Sequence, residues 1–178
     1  MLEHGFHAVG LNKLLSSVNI PKGSFYHWFS SKEQFGVELL RYHTDAANAQ
    51  RKSAVLERSN GGNPLERLFA LFEEAVTCFE DSGCKCVCLI QKLAPEVSNF
   101  SEPMREELAK GFSDAITVFQ KALEAAVSEG LLPSDFDSEN EAEFIMDHWA
   151  GAQQRAALNR SSEPLKKAIL VFRKHLAT

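Results

Sequence analysis

The chain has 178 residues, is 44% hydrophobic and carries a formal net charge of −5 at pH 7. That length buries a sizeable core in one or two domains. No apolar run approaches the ~18 residues of a membrane helix and no secretory signal opens the chain, so no membrane partner is expected and the cytoplasm is the default compartment. A basic excess is the usual mark of a nucleic-acid binder. Here the acidic residues gather in the second half, as in the stretch from Asp135 to Glu143, while the first fifty residues are nearly balanced. The acidic total therefore leaves a locally positive surface open.

Helical spacing dominates from the start. Leu11, Leu14, Leu15 and Val18 trace one buried face of a short helix, which Asn19-Ile20 interrupts. Pro21 suits the first turn of a second helix, because its missing N–H is not needed there. That helix carries Phe25 and Phe29 four residues apart. Two short helices about three residues apart form a helix-turn-helix. Ser30 to Glu33 reads as a capping box for a longer helix that runs to about Glu57. The loop from Ser59 to Asn63 precedes Pro64, where an apolar stripe of Leu65, Leu68, Phe69, Phe72, Val76 and Phe79 begins. Asp81-Ser82-Gly83 breaks it. The apolar stretch from Cys84 to Val97 reads as a buried helix, with Cys84 to Cys88 the one run that also tempts as a strand. A long helix follows from Pro103 to Glu129, then one capped by Asp137 or Ser138 that runs to Asn159, then one from Glu163 to His175. The fold class is all-α: a small N-terminal helix-turn-helix unit joined to a larger bundle by the helix of residues 31–57.

A recognition helix needs polar side chains for phosphates and bases on one face and an apolar pin on the other. Lys22, Ser24, Tyr26 and His27 supply donors, Gly23 removes bulk where backbone could approach DNA, and Phe25 and Phe29 are the pin. Lys32 opens the next helix, where free N–H groups also favour an anion. On spacing alone, a turn between two core helices with ordinary surface polars stays open beside this reading.

Residue identities narrow it. Gly5-Phe6, Gly10-Leu11, the run from Pro21 to Phe29, and Ser31-Lys32-Glu33 closely resemble the TetR family of transcription regulators, over roughly residues 5–45. The resemblance implies a homodimer with a DNA-binding domain over residues 1–45 and an effector-binding and dimerisation domain over residues 46–178. It implies a repressor that leaves a palindromic operator on double-stranded DNA when a small-molecule inducer binds, with half-sites ~34–36 Å apart or a multiple of that. Lys22, Ser24, Tyr26, His27 and Lys32 match positions where the family touches DNA. The family also has a helix ahead of the Gly-Phe pair, where this sequence has only Met1 to His4, so most of a first helix is expected to be absent.

The four cysteines are Cys78, Cys84, Cys86 and Cys88. Such tight spacing suits reduced thiols better than a disulfide framework. On a helix, Cys84 and Cys88 would share a face. Three readings are open: small buried hydrophobes, a thiol switch activated by Lys85 and Lys92, or a metal sensor in which Cys78 or His148 completes a thiolate set. Cys88-Leu89, Lys92-Leu93, Glu96-Val97, Ser101, Met104-Arg105, Trp149, Gly151-Ala152 and Glu163-Pro164-Leu165 resemble an electrophile- and oxidant-sensing subgroup of the same family. In that resemblance Cys88 takes the sensing position, and Cys84 and Cys86 are candidates to resolve a sulfenic acid.

Phe69, Phe72, Phe112, Phe119, His148 and Trp149 are candidates to line an effector pocket. The family resemblance places a dimer interface on the last two helices, where Ala152 and Ala156 would permit close approach of a mate. No nucleophile elbow, phosphate loop or His-Glu metal helix points to an enzyme, and nothing calls for a cofactor or a resident metal. A metal-sensing regulator, or a ligand-binding and dimerising protein without DNA binding, is the alternative.

Overall fold

The computed structural model describes residue 6, residues 9–84 and residues 88–176, and of Asn60 and Leu89 the backbone alone. Among the described residues there are eight α-helices and no strand. They are α1 (Leu11–Ser17), α2 (Lys22–Trp28), α3 (Lys32–Leu56), α4 (Pro64–Asp81), α5 (Leu89–Val97), α6 (Glu102–Ser128), α7 (Ser138–Asn159) and α8 (Glu163–His175), with a short 3-10 turn at Arg58–Asn60. No helix among them is long and apolar enough to cross a membrane. The chain forms two compact units, one of residues 1–46 and 88–111, the other of residues 47–87 and 112–178.

The first unit holds α1, α2, α5 and parts of α3 and α6. Phe6, Leu15, Phe25, Leu40, Leu93, Val97 and Met104 are buried in it. Polar ties supplement this small apolar set. Glu107, itself buried, accepts from Arg41 Nε and Nη2 at 3.2 and 3.1 Å. Ser101 Oγ donates to Glu33 Oε1 at 2.6 Å. That contact corrects the capping box read at Ser30 and Glu33. The cap forms one residue later and is not a reciprocal box: Ser31 Oγ accepts from the Gln34 amide at 3.0 Å, while Gln34 Oε1 accepts from the amide and hydroxyl of Ser30, the residue before the cap. Gly111 lets α6 approach α3 closely, since a Cβ there would sit 2.6 Å from the Thr44 methyl.

The second unit is organised around one continuous apolar cluster. Leu68, Phe72, Val76 and Phe79 of α4 face Phe119 and Leu123 of α6, Ile145 and Trp149 of α7, and Leu165, Ile169 and Phe172 of α8. The spacing of three and four along each helix keeps these side chains on one face. Asn63 caps α4 in a reciprocal box with Glu66, and Pro64 occupies the first turn. Buried Arg67 donates to the Val55 and Gly62 carbonyls at 2.8 and 2.6 Å, which satisfies acceptors around the end of α3. Asp137 caps α7 by accepting from the Asn140 amide. Ala152 and Ala156, expected to face a mate, are instead buried in the chain's own core. Small side chains there let the helices of one chain pack closely. The exposed apolar residues on the last two helices are Leu158 and Leu170.

Candidate nucleic-acid interface

Helix α1 ends where its periodicity falters. Asn19 adopts a left-handed backbone with φ of 54°, and the Ile20 amide returns to the Leu15 carbonyl at 3.0 Å. Asparagine tolerates this conformation better than most residues, so the helix closes without a glycine. Val18 lies beyond the last helical residue and is 56% exposed, which corrects its assignment to the buried face. Pro21 is the N-cap of α2 rather than a residue within it.

Helix α2 presents two faces. Phe25 is buried, with ring centroids 5.2 Å from Phe29 and 5.7 Å from Phe35. Lys22, Gly23, Ser24, Tyr26, His27 and Trp28 are all exposed. Lys22 Nζ lies 6.0 Å from the centroid of the Tyr26 ring, and His27 meets Trp28 edge to face at 5.2 Å. A Cβ built on Gly23 meets nothing within 4 Å, so that side of the helix is open to a large partner. From Leu11 to Lys32 the chain carries Lys13, Lys22 and Lys32 and no Asp or Glu. An acidic protein thus offers a segment free of carboxylates where its exposed donors concentrate, which is the local charge a phosphate backbone requires.

Two residues of this region stand differently from the sequence reading. Trp28, outside the donor set that the sequence suggests, is 74% exposed. Its spacing of three from Phe25 points it toward the buried side, but α2 ends at Trp28 and Phe29 is already extended. Lys32 is half-buried, and its ammonium donates to the Phe6 carbonyl.

Cys84 and Cys88 do not share a helix face. Cys84 has a φ of 59°, follows the end of α4 and packs against the core of the second unit. Cys88 is extended and forms the N-cap of α5. A left-handed residue at 84 cannot continue into a helix, so the spacing of four carries no meaning there. Cys86 and Lys85 lie outside the described residues. Cys78 is exposed on α4, and Cys84 and Cys88 are half-buried free thiols. Lys92 is exposed in α5, and its amide donates to the Cys88 carbonyl at 3.1 Å. Lys166, held above the usual lysine range chiefly by its hydrogen bond to Glu80, is also in electrostatic reach of Cys84. Nothing in the local sequence reveals that neighbour. Among the described residues no three His, Cys, Asp or Glu side chains gather as a metal would need.

The aromatic candidates divide as well. Phe72 contacts the rings of Phe119 at 5.5 Å, Trp149 at 4.7 Å and Phe172 at 5.4 Å. Phe69 lies under the Arg173 guanidinium at 4.2 Å, Phe112 is half-buried against the same core, and His148 is exposed, 5.6 Å from Phe172. A shallow, solvent-open depression of about 340 Å³ lies elsewhere in this unit, lined by Gln120, Glu124, Val127, Phe136, Asp137, Ser138 and Glu139.

Comparison with known proteins adds a second line of evidence. A family model described as bacterial regulatory proteins, tetR family, matches residues 1–39, and one described as tetracyclin repressor-like, C-terminal domain, matches residues 64–172. The chain is 37% identical over 177 residues to the HTH-type transcriptional repressor NemR of Escherichia coli (strain K12), a match covering 99% of this chain and 88% of that protein. It is 29% identical over 170 residues to the HTH-type transcriptional repressor DhaR of Mycobacterium sp. (strain GP1), covering 96% of this chain and 83% of the other. The crystal structure of the reduced form of E. coli NemR superposes with a TM-score of 0.91 at 35% identity, covering 97% of this chain and 89% of that one.

Proposed function

We propose that this chain, which belongs to the TetR family and is a DNA-binding transcriptional regulator rather than an enzyme, is a repressor released from its operator by a small reactive molecule. The observation that carries this reading is the exposed face of α2. Lys22, Ser24, Tyr26 and His27 stand there with the open backbone of Gly23, while Phe25 pins the helix from behind. Residues 1–45 are the DNA-binding part and residues 46–178 the part that takes the effector and a second copy. Exposed Leu158 and Leu170 on α7 and α8, and the open space at Gly151 of α7, support dimerisation through those helices. The resulting two-fold symmetry calls for a palindromic operator. The protein acts in the cytoplasm, where that DNA resides.

The inducer is an electrophile or oxidant that reacts at Cys88. Cys88 is a half-buried free thiol at the N-cap of α5, which supports its assignment as the reacting group. Both named repressors above, NemR and DhaR, support repression as the mode of action. The test is operator release. The wild-type chain is expected to retain a duplex of its own promoter region in a gel shift and to lose it on treatment with N-ethylmaleimide, while Cys88→Ser stays bound. Release that persists in Cys88→Ser but not in Cys84→Ser moves the sensing thiol to Cys84. Release that persists in both moves the sensing thiol to Cys86 or Cys78, release that persists with all four cysteines replaced by serine removes the thiol mechanism, and failure of the untreated protein to retain any duplex overturns the repressor reading.

A further inference from the structure

Lys32 matches a DNA-contacting position, yet the structure has already engaged it. Its Nζ donates to the Phe6 carbonyl oxygen at 2.6 Å and lies 4.6 Å from the centroid of the Phe6 ring. The Phe6 amide donates to Glu96 Oε2 of α5 at 3.0 Å. Phe6 is therefore gripped at both of its backbone groups, by a cation from α3 and a carboxylate from α5. Its ring is 4% exposed, stacked 6.5 Å from Phe100, and seated where Gly36 leaves room. Burial holds Lys32 below the usual lysine range, against the opposing pull of the Glu96 carboxylate. Swinging Lys32 out to a phosphate would take a charged donor from a buried carbonyl and move a cation away from Glu96. The lysines that suffer no such loss on meeting a phosphate are those standing in solvent, as Lys22 does.

We propose that Lys32 and Glu96 are positioning residues for DNA binding: together they hold Phe6, just ahead of α1, and so fix the helix-turn-helix on α3 and α5, and Lys32 makes no phosphate contact. This rests on the reading of α2 as a DNA-binding helix. It assigns a DNA-binding role to α5, which lies more than fifty residues from α2 in the chain.

The two roles of Lys32 separate in a salt series. Binding to a duplex of the chain's own promoter region is measured by fluorescence anisotropy at several salt concentrations. Loss of one phosphate contact from each protomer, two for the dimer, lowers the slope of log K against log salt by about 1.8. Lys22→Gln is expected to show that loss. Lys32→Gln is expected to keep the wild-type slope and to weaken binding by one factor, on the order of tenfold, at every salt concentration. Glu96→Ala is expected to weaken binding similarly, and the double variant no further than either single one, because both remove the same grip. Lys32→Arg keeps a donor for the carbonyl and is expected to restore affinity. A slope reduced by about 1.8 in Lys32→Gln overturns the proposal, as does wild-type affinity in that variant. If Lys32→Gln does not fold, Glu96→Ala decides alone: weakened binding at unchanged slope supports the grip, and wild-type affinity overturns it. Failure of the wild-type chain to bind any duplex would instead remove the underlying reading of α2, so the two failures are distinct.

Discussion

The unit that contains α4, α7 and α8 buries one continuous apolar cluster, whereas the unit that contains α1, α2 and α5 is fastened at separate points. In the former, Phe72 alone meets three other aromatic rings. In the latter, the Phe25, Phe29 and Phe35 rings form one knot, Phe6 another, and Arg41–Glu107 and Ser101–Glu33 tie helices side chain to side chain. A continuous core resists local change, because every side chain is braced by several others. A point fastening can be released by one event, and segments held that way open at low free-energy cost. Helix α5 has Cys88 as its cap and Glu96 near its end. One short helix thus joins the candidate sensing thiol to a fastening of the recognition unit.

The comparison breaks if the continuous core is not the more demanding of the two. Phe72→Ala is expected to lower stability by about 3–5 kcal/mol, since the ring is 2% exposed and its neighbours cannot all collapse into the space. Denaturant unfolding followed by emission of buried Trp149, in contact with Phe72, reads this when wild type and variant both carry Trp28→Phe. A loss under about 1 kcal/mol would mean that the cluster is loosely packed and the contrast false.

Gly36→Ala probes the other unit with a smaller perturbation. The new methyl would lie 2.6 Å from Phe6 Cζ and 3.0 Å from Met104 Cε. The Phe6 ring cannot swing away freely, because Lys32 and Glu96 hold its backbone. Overpacking of this kind costs about 1–3 kcal/mol. The cost is expected as faster amide exchange in α1 and α2, with the amides of α7 and α8 unchanged. Uniform acceleration across all helices would show that the fastening is not local, and the distinction between the units would lose its meaning.

The sequence was most legible where structure depends on neighbours in the chain. The stripe from Leu65 to Phe79 obeys helical spacing, and it is the face that α4 buries. Phe25 against an otherwise polar α2 separated the two faces of that helix for the same reason. What escaped depends on partners far away in the chain. Glu33 fits a capping box by every local rule, but the Ser101 hydroxyl takes its carboxylate and Gln34 completes the cap instead. The hydrogen bond from Lys32 to the Phe6 carbonyl, twenty-six residues away, also has no signal in the local spacing. Cys84 and Cys88 suggest a shared helix face, yet the left-handed turn after α4 runs one residue past Gly83 and includes Cys84. Lys166 as the cation near Cys84 could not be read from spacing at all.

The contrast sharpens further when a polar tie is cut inside the well-packed unit, where the smallest effect is expected. Glu80 of α4 accepts from the Ser162 hydroxyl and pairs with Lys166 Nζ at 2.7 Å, tying α4 to the start of α8. The Lys166 hydrogen bond, with that of Ser162 behind it, holds the Glu80 carboxyl below its ordinary pKa of 4.5. A carboxyl whose pKa is depressed on folding contributes stability that is fully present above the unfolded value and is lost as pH falls through the folded one. The wild-type chain should therefore melt slightly above Glu80→Gln at neutral pH, and the gap should close as pH drops below 4.5. Added salt should narrow it too, because both partners of the pair are about half exposed. The core beneath is complete without this pair, so neither variant should lose helix content at neutral pH. A gap that matches the loss from Phe72→Ala would show that polar fastening governs both units, and the physical difference between them would disappear.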